Sequence, residues 1–170
     1  MERPKKNEYA IFFQKYIDLV DTGDFIELLD QNTISTISFF KSIDRKQENY
    51  KYSENKWTIK EVLMHIIDTE RVFSYRAIVS ARNDGKTPLY GMDENLYAKN
   101  VDVTEIPMDS LIEEFIAVRK AFKFIYTNNK VEKLSFLGNG VGGKISARAI
   151  GYISIGHVSH HCSVIEQRYL

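Results

Sequence analysis

Between Ile59 and Phe73 the apolar residues Ile59, Leu63, Ile66 and Phe73 recur at spacings of four, three and seven, the spacing of one buried helical face. The same period predicts a long helix from Thr58 to about Asn83 and others from Asp24 to about Ile43, Met108 to about Asn128, and Ser146 to Tyr169. A shorter helix from Asn7 to about Val20 is predicted before the break at "DTGD". Thr58 and Ser146 stand where N-caps are needed. The three prolines, Pro4, Pro88 and Pro107, fall outside all of these segments, and no stretch shows the Val/Ile/Thr alternation of strands. The pattern predicts an all-α protein: a four-helix bundle with a short helix at the N-terminus.

The longest connection, from Asp84 to Pro107, exceeds the roughly 12–15 residues that a structureless loop reaches in a compact domain. Leu89, Tyr90, Met92, Leu96 and Tyr97 give it apolar side chains to lay on the bundle. An ordered crossover follows, of the kind that joins helices not arranged simply up and down. At 170 residues and 44% hydrophobic content, the chain makes one domain, residues 1–170, with a real core.

"GNGVGGKIS", Gly138 to Ser146, opens like a phosphate-binding loop. Gly138, Gly143 and Lys144 match, but Ile145 stands where the Mg²⁺-binding hydroxyl belongs and Ser146 comes one residue late. The residues after Lys144 read as one helix, which leaves no further strand for a nucleotide fold. The glycines are therefore expected to form a flexible turn before the last helix.

Twenty-three basic and 23 acidic residues cancel, so no net field draws the chain to nucleic acid or to an anionic membrane. No segment approaches the ~20 apolar residues of a membrane span. The single cysteine, Cys162, excludes an internal disulfide and fits a reducing compartment, and the first residues lack a signal-peptide pattern. A cytoplasmic protein is expected.

Three of the four histidines lie in "GHVSHH". At about 100° per residue, His161 lies roughly 40° around the helix from His157, and His160 roughly 60° to the other side. Ile150, Ile153 and Val164 share the His157 direction, so His157 and His161 point together into the bundle. Two imidazoles rarely make a tight site, and His65 supplies the third. Near it at helical spacing lie Glu61, Asp68, Thr69 and Arg76, a wetter strip that a cavity needs. Three histidines that can converge favour one divalent ion, with His160 as a neighbouring or surface group that could replace one of the C-terminal pair. The zinc-protease general base is absent, since Val158 follows His157.

Other residues carry two readings. Glu70 falls on the apolar stripe and needs a partner, Arg76 or Arg148, as a structural ion pair rather than a catalytic acid. Arg76, roughly 20° around the helix from His65, is the candidate to meet an anionic substrate near the metal. Trp57 is expected to staple the start of the long helix. Cys162 points about 100° away from His161 and is expected to be packed rather than nucleophilic.

"KWTIKEVLMHIIDTERVFSYRAIVSARNDGKTPLYGMDENLYA" followed by "GHVSHHCSVIEQRYL" resembles the DinB-like superfamily of four-helix bundles, which includes YfiT-related metal-dependent hydrolases. The resemblance runs from about Tyr16 to Leu170. It implies a divalent metal, Zn²⁺, Ni²⁺, Mn²⁺ or Fe²⁺, held by His65, His157 and His161. It also implies a small-molecule substrate, a homodimer, and in some relatives a low-molecular-weight thiol cofactor serving a transferase. Three neutral imidazoles leave an ion its charge and an open position, so either a water or a thiol can be activated. The contrasting expectation is a non-catalytic metal-binding or dimer-forming helical module.

Overall fold

The structure, a computed structural model, describes residues 1–170. Four long helices make the bundle: α2 (Phe25–Lys41), α3 (Ile59–Ala81), α5 (Met108–Thr127) and α7 (Ala147–Arg168). Their starts carry the chemistry the sequence offers. Asp24 accepts from the amides of Ile26 and Glu27, and Ser146 from that of Ala149. Thr58 and Glu61 form a reciprocal capping box.

Helix α3 packs between α5 and α7, and α2 packs on those same two helices from the opposite corner. The core has two apolar clusters, and their membership gives the directions. Phe25 of α2 and Ile150 of α7, near the helix starts, share one cluster with Ala77 of α3 and Phe122 of α5, near their ends. Phe40 and Ile165 share the other with Leu63 and Leu111. Thus α2 and α7 run one way, α3 and α5 the other. The fully buried Phe25, Phe40, Phe115 and Phe122 each contribute about 1.5–3 kcal/mol of transfer free energy.

Because α3 and α5 are parallel neighbours, the chain must return along the bundle between them. Residues 82–107 do so, and the expected crossover is ordered. It contains a short helix that the apolar spacing did not announce, α4 (Glu94–Asn100), capped by Asp93.

Two other expectations change. The predicted helix from Asn7 to Val20 is instead two 3-10 turns, Lys6–Glu8 and Ile11–Phe13, followed by one turn of α-helix, α1 (Gln14–Ile17). Tyr9 and Ala10 are extended, because this segment is fastened to the start of α7. The buried Glu8 carboxylate accepts from Ser146 and Arg148, and its carbonyl accepts from the Ser146 amide. Burial would raise the Glu8 pKa, but these donors, Arg148 foremost, hold it below the usual range.

The glycine-rich stretch is a two-stranded antiparallel hairpin, β1 (Gly138–Gly140) and β2 (Gly143–Ile145), rather than a flexible turn. Its tip bends at Gly142, whose φ of 79° favours glycine. Lys144 donates across it to Asn139, so the cation braces the hairpin. A one-turn helix, α6 (Val131–Leu134), precedes it. No helix is long and apolar enough to cross a membrane.

Candidate metal centre

His65 sits on α3, and His157 and His161 sit one turn apart on the antiparallel neighbour α7. The Nε2 atom of His157 lies 3.1 Å from that of His65 and 3.1 Å from that of His161. One ligand nitrogen from each residue lies within 4.8 Å of both others. An imidazole nitrogen offers one lone pair or one proton along one direction, so three aimed at a common point cannot all satisfy one another.

A single ion can satisfy them. Nitrogens about 2.0–2.1 Å from one ion stand roughly 3.3 Å apart at a tetrahedral angle and roughly 2.9 Å apart at a right angle. The 3.1 Å separations fall between the two. The donors also suit a divalent transition ion in protonation state. Burial pulls the pKa of His65 down to about 4 and that of His161 to about 3, and that of His157 well below the ordinary value. All three rings are neutral near pH 7, the form that binds metal.

Aromatic side chains hold the rings. Trp57 packs on His65 with centroids 4.8 Å apart, and Tyr16 meets His157 edge-on at 5.5 Å. Tyr16 reaches that position because α7 has no side chain at Gly156. A Cβ there would lie 1.8 Å from the Tyr16 carbonyl oxygen.

The trio forms part of the wall of a cavity of about 440 Å³, within the range of small-molecule sites. Phe12, Phe13, Val72, Phe73 and Met92 give it apolar surface; Arg76 and Glu94 are its buried cation and its one carboxylate. Of the four polar residues expected beside His65, two reach the cavity, Thr69 and Arg76. The other two are engaged elsewhere. Glu61 caps α3 and pairs with Lys51, and Asp68 pairs with Arg71. Arg76 shares the direction of His65 but stands three turns along α3. It therefore faces the far end of the cavity, not the immediate surroundings of the histidines.

Further corrections concern single residues. Glu70 pairs with Arg119 at 2.7 Å and accepts from Ser154 at 2.8 Å, not with Arg76 or Arg148. Trp57 precedes the helix cap as expected, but its ring forms part of the cavity wall. His160 stands outside the trio, half-buried and edge-on to Tyr16. Cys162 is packed as expected, and burial pushes its thiol up to about 12.

Glu94 was not legible in the sequence. It arrives from the first residue of α4 in the crossover, and nothing in its local spacing ties it to His65. Its charge nonetheless acts on His65, opposing the effect of burial there.

The sequence pattern of the DinB superfamily matches residues 28–165. The chain belongs to the DinB superfamily. Among solved structures, the chain is similar to YfiT from Bacillus subtilis, described as a probable metal-dependent hydrolase with an unusual four-helix bundle topology. The match covers 98% of this chain and 90% of that one, with a TM-score of 0.73 and 12% identity. At that identity the likeness establishes the fold. No curated protein gives a significant match. The parallel α3–α5 pair and the crossover are thus features of a DinB-superfamily bundle with the YfiT-like arrangement.

Proposed function

We propose that this DinB-superfamily protein is a metal-dependent enzyme acting on a small molecule, with one divalent ion held by His65, His157 and His161. The observation that carries the reading is the pair of 3.1 Å separations between ring nitrogens that converge at a cavity wall. Bound there, the ion supplies a Lewis acid that lowers the pKa of a water or a thiol at its open side. The description of YfiT as a probable metal-dependent hydrolase supports the same class.

The chain's own residues bind, orient and exclude. Trp57, Tyr16 and Phe73 fix the imidazole planes and keep that wall apolar. Arg76 binds an anionic part of the substrate, and Glu94 accepts the proton that the nucleophile releases. No serine or cysteine lines the cavity, and the half-buried Cys162 is held as a neutral thiol. In this reading the nucleophile comes from solution, as water in a hydrolase or as a low-molecular-weight thiol in a transferase.

The test is turnover by zinc-, nickel- or manganese-loaded protein against ester, amide and electrophile panels, each with and without added thiol. Metal-dependent turnover lost in His157→Ala is the expected result. Dependence on thiol selects the transferase. Stoichiometric metal without any turnover across both panels would favour the non-catalytic helical module.

A further inference from the structure

The bundle buries three arginines: Arg76, Arg119 and Arg148. Two have a carboxylate against them, Glu70 for Arg119 and Glu8 for Arg148. The third has none. Arg76 is 7% exposed, and its hydrogen bond within the chain runs from Nη2 to the Tyr90 carbonyl, 2.7 Å away. Burial lowers its pKa with no neighbouring acid to offset it. Its remaining donors are left for the cavity that it lines together with the histidines. A planar guanidinium with free donors in a partly dry wall is a strong binding site for a carboxylate or similar oxyanion, which accepts from it.

Two internal rulers give the distance from that group to the histidines. His65 and Arg76 are eleven residues apart on one helix, so their Cα atoms are about 16 Å apart along the axis. Beside α3, the crossover runs back from Tyr90, which Arg76 holds, to Glu94, which acts on His65. Four residues span at most about 14 Å. Val72, Phe73 and Met92 provide apolar wall between the two ends.

We infer that the cavity takes an elongated anionic small molecule: its reacting end at the histidines, its carboxylate or similar oxyanion at Arg76, and an apolar or aromatic body between, the ends on the order of 10 Å apart. The near end rests on the metal reading above. The far end stands on Arg76 alone. A compact substrate can reach one end or the other, and a neutral one leaves the guanidinium unpaired.

The chain's single tryptophan, Trp57, lies in the cavity wall, so its fluorescence reports occupancy. Zinc-loaded protein is titrated with monohydroxamates of straight-chain dicarboxylic acids, from ethylene to octylene spacers, and with the same compounds ending in a primary amide. Affinity is expected to peak at the longer spacers, with the carboxylate exceeding the amide by about ten- to a hundredfold. Arg76→Gln is expected to erase that difference while leaving zinc stoichiometry unchanged. Arg76→Lys is expected to restore only part of it.

In a second arm, metal-free protein is titrated with biphenylacetate, for which Arg76→Gln is again expected to weaken binding about tenfold or more. Equal affinity for carboxylate and amide, or affinity independent of spacer, would overturn the inference. Failure to take up zinc would instead overturn the metal reading. The biphenylacetate arm then decides the Arg76 site by itself, and indifference to Arg76→Gln there would refute it.

Discussion

Replacing Arg119 with methionine should destabilise the bundle more than any surface change, and the structure gives the size. Glu70 is 1% exposed and Arg119 2%, with Nε and Oε1 2.7 Å apart. Ser154 donates to the other carboxylate oxygen, and Arg119 donates to Asn32. One side chain from each of α2, α3, α5 and α7 therefore meets at this point. Removing one partner of a buried ion pair costs about 3–5 kcal/mol, because the other charge is left in the interior. At about 2–4 °C per kcal/mol for a domain of this size, the melting temperature should fall by roughly 6–20 °C. Urea unfolding measures it directly, as a lower midpoint at unchanged slope. The double variant Glu70→Leu, Arg119→Met should recover much of the loss, since an apolar pair of similar volume leaves no charge behind. A change below about 1 kcal/mol for Arg119→Met alone would refute the reasoning, because no buried pair gives way that cheaply.

Gly156→Ala places a Cβ against the Tyr16 carbonyl; a loss of about 1–3 kcal/mol from overpacking and weaker metal binding are expected, and wild-type stability and affinity would contradict this. The metal-free protein should lose stability as pH falls from about 6.5 toward 4. The unfolded histidines take up protons in that window, whereas folded His65 and His161 do not until pH about 4 and about 3. Each contributes a slope of up to about 1.4 kcal/mol per pH unit. Urea midpoints in chelator at pH 7.5 and 5.5 read it, and a midpoint that rises on acidification would contradict it. Cys162, with its thiol pushed up to about 12, should react with a disulfide reagent far more slowly in the native protein at pH 8 than in denaturant, and equal rates would show that it is not packed.

The four bundle helices were legible because each carries its own signal, an apolar stripe opened by a capping residue. The histidine trio was legible for a related reason: His157 and His161 share a helical face that points inward, and His65 lies on another such face. What the sequence withheld depends on contacts between distant segments. The first segment bends around Glu8 because the donors to its carboxylate are Ser146 and Arg148, far along the chain. Glu70 finds Arg119 rather than Arg76 or Arg148 because α5, not its own helix, faces it. Helical spacing placed Arg76 on the His65 side, three turns along the axis, but the cavity that joins the two ends is built by other segments. Glu94 reaches the cavity only through the path of the crossover, and the parallel α3–α5 pair that dictates this path follows from packing. The glycines at 138–143 resemble a phosphate loop in composition, and the hairpin register decides otherwise.

The central claim is that His65, His157 and His161 form one metal site. Elemental analysis of protein purified without a metal-chelating tag or added chelator, and again after dialysis against Zn²⁺, Ni²⁺ or Mn²⁺, tests it most directly alongside His65→Ala, His157→Ala and His161→Ala. The account predicts about one ion per chain in the parent protein and a large loss of affinity in each variant, since two imidazoles rarely make a tight site. Unchanged stoichiometry and affinity in all three variants, or no uptake of any of these ions by the parent, would contradict it.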